Sequence, residues 1–91
     1  MQRNGILFKV SGRVQGVGFR YSTREVALNM GVKGFVTNRA DGSVEVYATG
    51  TKEQLDRLSD FLKKGPAFAQ VTKIDETQIA NPEFYNDFYI K

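Results

Sequence analysis

Nine residues, Gly12-Arg13-Val14-Gln15-Gly16-Val17-Gly18-Phe19-Arg20, form the segment whose types and spacing point most directly to chemistry. Glycine tolerates positive φ, so such a run lets successive N–H groups converge into a concave nest. A helix opening at Phe19 or Arg20 would add its free N–H groups and the positive end of its dipole. Together these suit a tetrahedral anion, and the Arg20 guanidinium supplies a bidentate fork for phosphate oxygens. The same spacing also fits a purely structural glycine-rich turn, and spacing alone does not choose between them. It does exclude some sites. No Gly-Lys-Ser/Thr follows, so this is not a Walker A loop. Tyr21 stands where a dinucleotide fingerprint requires its third glycine.

The rest of the composition narrows the chemistry further. The 91 residues contain no cysteine and no histidine. Disulfide frameworks, thiolate metal sites and cysteine nucleophiles are therefore excluded. The commonest general base and metal ligand is missing too. Ser11 and Ser22 have no histidine to activate them, and Asp75-Glu76 reads as an ordinary acidic surface pair. The formal charge of +3 fits either a mildly basic surface or attraction to an anion. Met1 to Gly5 is polar, and no stretch approaches the ~20 apolar residues of a membrane span. A cytoplasmic protein of one domain, residues 1–91, is expected.

The elements that must hold the loop follow from periodicity. Ile6 to Val10 predicts a strand entering the glycine segment. A helix with the stripe Phe19, Thr23, Val26/Ala27 and Met30 should stop at Gly31. Lys33 to Asn38 predicts a second strand, and Asp41-Gly42 a hairpin turn. Ser43 to Thr49 alternates, with Val44, Val46 and Ala48 on one face. Thr51 and Gln54 match a capping box for a helix presenting Leu55, Leu58, Phe61 and Leu62. Glu53–Arg57 and Asp60–Lys64 have favourable i,i+4 order, and Gly65-Pro66 ends the helix. Val71 to Thr77 and then Tyr85 to Ile90 predict a fourth strand and a short edge strand. Phe61, Phe68, Phe84 and Phe88 are expected in core or edge packing. The order β-α-β-β-α-β, plus a last strand, predicts an antiparallel sheet with both helices on one face.

This topology bears on Asn38. A β-α-β crossover returns the chain to the same end of the sheet, level with the glycine loop. One intervening strand leaves about 9–10 Å between the two parallel strands. An amide there both donates and accepts, so it is suited to hold a water against a bound phosphorus. It is equally suited to bond its own backbone before the turn.

Taken together, the segment from Gly12 to Arg20, Gly34-Phe35-Val36-Thr37-Asn38, Asp41-Gly42-Ser43-Val44-Glu45, Gly50 and Gly65 to Val71 resembles the acylphosphatase family along the whole chain. Phe35 stands where that family usually has tryptophan, and Asn81 to Lys91 is only loosely similar. The resemblance implies an α+β, ferredoxin-like α/β sandwich and hydrolysis of acyl phosphates to carboxylate and inorganic phosphate. It implies that Arg20 binds the phosphoryl group and Asn38 positions the attacking water. The backbone of Gln15, Gly16, Val17, Gly18, Phe19 and Arg20 would be the phosphate cradle. A metal-independent monomer is expected, with no cofactor, no metal, no nucleic-acid partner and no membrane. Inorganic phosphate is expected as product and inhibitor.

This chemistry suits the residue set. An acyl phosphate expels a carboxylate, which leaves without protonation, so no general acid is needed. Phosphoryl transfer then depends on positioning and charge stabilisation, and the substrate's own phosphate is expected to accept the proton. Two other classes fit parts of the sequence. An RNA-recognition module shares the element order, and Lys33-Gly34-Phe35-Val36 matches part of its signature. Thr37, Asn38 and Arg39 lack the further aromatics that stack bases. A non-catalytic domain binding acyl or carbamoyl phosphate is the other alternative.

Overall fold

The computed structural model describes residues 3–91, so Met1 and Gln2 lie outside it. Alternating apolar residues build the strands β1 (Asn4–Arg13), β2 (Lys33–Asn38) and β3 (Val44–Gly50). Phe8 and Val10, Val36, and Val44, Val46 and Ala48 are fully buried. This face is covered by α1 (Phe19–Met30) and α2 (Lys52–Lys64), through Phe19 and Ala27 from one helix and Leu55, Leu58 and Leu62 from the other. The remaining strands are β4 (Gln70–Gln78) and β5 (Phe88–Ile90), giving the order β4-β1-β3-β2-β5. The ferredoxin-like α+β architecture follows. No helix among the described residues is long and apolar enough to cross a membrane.

The sheet is mixed rather than purely antiparallel. β1, β2, β3 and β4 pair antiparallel as expected, but β5 runs parallel to β2. The cause is the path of residues 79–87. Ile79 N donates to Gly5 O at 3.0 Å, beside the start of β1. The Tyr47 hydroxyl donates to Glu83 O at 2.7 Å. Gly34 N then donates to Asp87 O at 3.0 Å. The chain has crossed the sheet's open face and must climb beside β2 in the same direction. Phe35, Tyr47 and Tyr85 mark the crossing, with Phe35 and Tyr47 stacked at 5.4 Å and Tyr85 packed against both. The Arg24 Nε donates to Phe88 O at 3.0 Å, fastening β5 to α1.

Other departures are local. β1 extends to Arg13 through a register shift at Ser11/Gly12. β5 is shorter than Tyr85 to Ile90, because Tyr85 is taken up by the crossing. The ion pair on α2 is Lys52–Asp56 at 2.9 Å; among the described residues neither Glu53–Arg57 nor Asp60–Lys64 closes. Phe88 is buried and Phe61 half-buried, but Phe68 is 79% and Phe84 52% exposed. Phe68 lies on the loop after Gly65, and the Phe84 ring lies 5.5 Å from the Arg3 guanidinium. Gly34 lies against the neighbouring strand β3 with φ of +142°, and a Cβ there would lie 1.8 Å from Tyr47 O.

Candidate active site

The two helices begin very differently. α2 satisfies its own first turn: Gln54 N donates to Thr51 Oγ1, Thr51 N donates back to Gln54 Oε1, and Glu53 faces the dipole. α1 has Gly18 as its N-cap, with no side-chain cap and no acidic residue in its first turn. Its N-terminus therefore keeps unpaired donors and an unneutralised positive end. The loop before it adds to this. Gly16 and Gly18 have φ of +73° and +77°, a conformation that costs other residues roughly 1–2 kcal/mol. Among the described residues, no backbone N–H from Gln15 to Tyr21 donates to another protein group. These are orphan donors on an exposed, positively polarised concavity.

Phe19 and Arg20 point apart because adjacent helical residues are about 100° apart around the axis. Phe19 is buried, with its ring 6.5 Å from that of Phe61. Arg20 is thereby turned outward, and among the described residues its guanidinium forms no ion pair or hydrogen bond. On β2, even-numbered residues share the helix-covered face, so Asn38 points toward α1 while Thr37 does not. Its Oδ1 is buried without a protein hydrogen-bond partner. An orphaned buried acceptor of this kind costs about 1–3 kcal/mol unless something donates to it.

These groups meet in a cavity of about 290 Å³, walled by Gly16, Gly18, Arg20 and Asn38. Val14 and Phe19 form its buried floor, and the exposed side chains of Tyr21 and Ile90 stand at its rim. Among the described residues no carboxylate lines it. Asp41 serves the hairpin turn instead. Its Oδ1 accepts from Ser43 Oγ at 2.6 Å and from Ser43 N at 3.0 Å. Its Oδ2 lies 3.0 Å from Lys9 Nζ. Those bonds from Ser43, then Lys9, hold its carboxyl well below the usual carboxylate range.

Gln15 and Val17 do not line the cavity with their side chains. Val17 packs against the core. The Gln15 amide spans to the β2–β3 hairpin, donating to Arg39 O at 2.8 Å and to Ser43 O at 2.9 Å. It ties the glycine loop to the residue directly after Asn38. Neither this tie nor the rim positions of Tyr21 and Ile90 were anticipated. The adjacency of Tyr21 to Arg20 on the first helical turn was a usable signal for one of them; Ile90 arrives only through the parallel pairing of β5.

The RNA-recognition alternative requires free aromatics on the open sheet face. Phe35 does project there, but it is half-buried under Tyr47, Tyr85 and the Lys91 ammonium, whose Nζ lies 4.3 Å from its ring. The chain's own crossing segment occupies that surface.

The acylphosphatase family model matches residues 6–90. The chain is 48% identical to an acylphosphatase of Pasteurella multocida over 84 residues, covering 92% of this chain and 93% of that one. It is 49% identical to an acylphosphatase of Thermotoga maritima, covering 91% of each. Among solved structures, an acylphosphatase from Bacillus subtilis superposes with a TM-score of 0.93 at 38% identity, covering 97% of this chain and 98% of that one.

Proposed function

This chain belongs to the acylphosphatase family and is an enzyme of that type acting on small-molecule acyl phosphates, and from that premise we propose how its site performs the reaction. The phosphoryl group sits against the main-chain N–H groups of Gln15 to Arg20, and Arg20 neutralises its oxygens. The Asn38 side chain aligns a water for in-line attack, its Oδ1 accepting one of the water's hydrogens. The water oxygen bonds to phosphorus as the P–O bond to the acyl group breaks. The electron pair departs on the carboxylate oxygen. The water proton goes to a phosphoryl oxygen, since among the described residues no carboxylate lines the cavity to take it. Carboxylate and inorganic phosphate result. In this arrangement backbone dipoles and one guanidinium do the work of charge stabilisation that a divalent cation performs elsewhere.

The observation that carries this reading is the meeting of unpaired Arg20, the orphan Oδ1 of Asn38 and the free loop amides in one cavity. Its test is benzoyl phosphate hydrolysis in the presence of EDTA by the wild type, Arg20→Gln and Asn38→Ala. Wild-type turnover should survive chelation and be competitively inhibited by inorganic phosphate. Arg20→Gln should lose about 10³-fold or more, the range for an arginine on a transferring phosphoryl group. Asn38→Ala should lose on the order of 10²-fold or more, with circular dichroism unchanged in both. An Arg20→Gln protein with the wild-type rate refutes the assignment. Sedimentation of a monomer is expected alongside.

A further inference from the structure

We propose that a second cavity, at the far end of β1 from the glycine loop, binds an aliphatic primary ammonium group. It lies between the start of β1, the first turn of α2 and the end of β4, and its volume is about 220 Å³. The strand register brings its polar groups together. Ile6 pairs with Gln78 and Phe8 with Glu76 across β1 and β4, and residues paired in this way share one face of a sheet. Phe8 is buried beneath the helices, so Glu76 and Gln78 project on that same side, toward α2. There the Ser59 hydroxyl, on a side chain buried in α2, donates to Glu76 Oε2 at 2.8 Å. The bond fixes the carboxylate. Its other oxygen, Oε1, has no hydrogen-bond partner and Glu76 no ion pair among the described residues. The side-chain amides of Gln78 and Asn4 line the same cavity.

The needs of these groups identify the ligand. An alkylammonium presents three N–H donors and no acceptor. Glu76 Oε1 and the amide oxygens of Asn4 and Gln78 are three acceptors around one hollow. Asp56 lines it as well, but Lys52 Nζ lies 2.9 Å from its Oδ2. One positive and two negative side chains leave the lining with a single uncompensated negative charge, on Glu76, in a chain whose formal charge is +3. That charge favours a cation and opposes an anion. Ile6 and Leu55 complete the wall with apolar carbon, which a bare metal ion cannot use and an aliphatic stem can cover. The volume is that of about seven waters at about 30 Å³ each, room for an ammonium with a short chain behind it. Glu76 and Gln78 are exposed, so entry requires no opening of the fold. The ten residues of β1 separate this site from the glycine loop by roughly 30 Å at 3.3 Å per residue, and the inference does not depend on the mechanism proposed above.

The experiment is a titration at neutral pH and low salt, followed through the backbone amide signals in nuclear magnetic resonance spectra. The probes are n-butylammonium, Nα-acetyl-lysine methylamide, n-butanol and Ca²⁺. Butylammonium should shift the amides of Ile6, Leu55 and Gln78 saturably, leave those of Gly16 to Arg20 in place, and bind with a Kd of about 1 mM, as suits so small a ligand. Butanol, which has the stem without the charge, should not saturate. The lysine derivative separates two sources of the same head group: tighter binding than butylammonium assigns the site to a lysine side chain, weaker binding to a free amine, and both support the ammonium site. Glu76→Gln should weaken butylammonium about tenfold or more, the scale of a hydrogen bond to a charged group, and Gln78→Ala should weaken it severalfold, with the circular dichroism of both variants unchanged. Benzoyl phosphate turnover should be the same in both variants as in the wild type. Absence of saturable shifts at these residues overturns the proposal. So does butylammonium binding of wild-type strength in Glu76→Gln, or Ca²⁺ shifting the same amides at lower concentration than butylammonium.

Discussion

Replacing Gln15 with alanine removes a link between the glycine loop and the strand end that carries Asn38. The side-chain amide donates to Arg39 O and Ser43 O at 2.8 and 2.9 Å. Neither carbonyl is orphaned by its loss. Gly42 N still donates to Arg39 O at 3.1 Å, and Arg39 N to Ser43 O at 2.8 Å. The stability cost is then two net hydrogen bonds, about 1–3 kcal/mol in total. A loss near 2 kcal/mol lowers Tm by roughly 8–16 °C in a domain of this size. The kinetic effect is of a different kind. In the proposed mechanism the anion's ligands are main-chain groups and Arg20, which Gln15→Ala leaves in place. What loosens is the hairpin immediately after Asn38, and a displacement of about 1 Å at an aligning group costs up to about 10²-fold. The assay is benzoyl phosphate hydrolysis below the variant's Tm, with inhibition by inorganic phosphate measured in parallel. We expect kcat to fall by about tenfold or more while the phosphate inhibition constant changes little. Gln15→Glu has the same length but presents acceptors to two carbonyls, so it should be no better than alanine. Wild-type kcat in a protein of lowered Tm would refute a positioning role. Phosphate inhibition weakened as much as kcat would move the effect from Asn38 to the loop itself.

The two kinds of glycine should respond differently to alanine. At Gly18 the added Cβ meets open space, and the cost is the positive φ alone, roughly 1–2 kcal/mol by urea denaturation. At Gly34 it collides with Tyr47 O, so Gly34→Ala should lose about 4 kcal/mol or more, or fail to fold. Asp41, whose carboxyl is held low by Ser43 and Lys9, contributes stability that is present above its unfolded pKa of about 3.9 and lost as pH falls through the folded value. The urea midpoint of the wild type should exceed that of Asp41→Asn at neutral pH, and the gap should narrow below about pH 4. A gap independent of pH contradicts that linkage.

Much of the site was readable because its determinants are local or topological. The left-handed C-cap at Gly31, the capping box at Thr51 and the strand Lys33–Asn38 are set by neighbours within a few residues. The nearness of Arg20 and Asn38 followed from the crossover, which fixes which strand ends share one end of the sheet. What escaped was non-local. The parallel pairing of β5 depends on where residues 79–87 travel, and nothing in Phe88-Tyr89-Ile90 announces β2 as its partner. The Gln15 side chain satisfies carbonyls 24 and 28 residues away, and nothing in the residues around it announces those partners. Packing is the simplest expectation for Phe68 and Phe84 as large aromatics, but the paths of the loops that carry them out of the core are set by distant contacts.

The sheet has two free borders, and they differ in length. β5 offers three residues, too short a template for another chain to extend. β4 offers nine, and its outward row of backbone donors and acceptors is the natural seed for edge-to-edge aggregation. Lys73, Asp75 and Glu76 lie along the middle of that border. An incoming strand would have to desolvate charges of both signs to dock there, which disfavours polymerisation at the one edge long enough to support it.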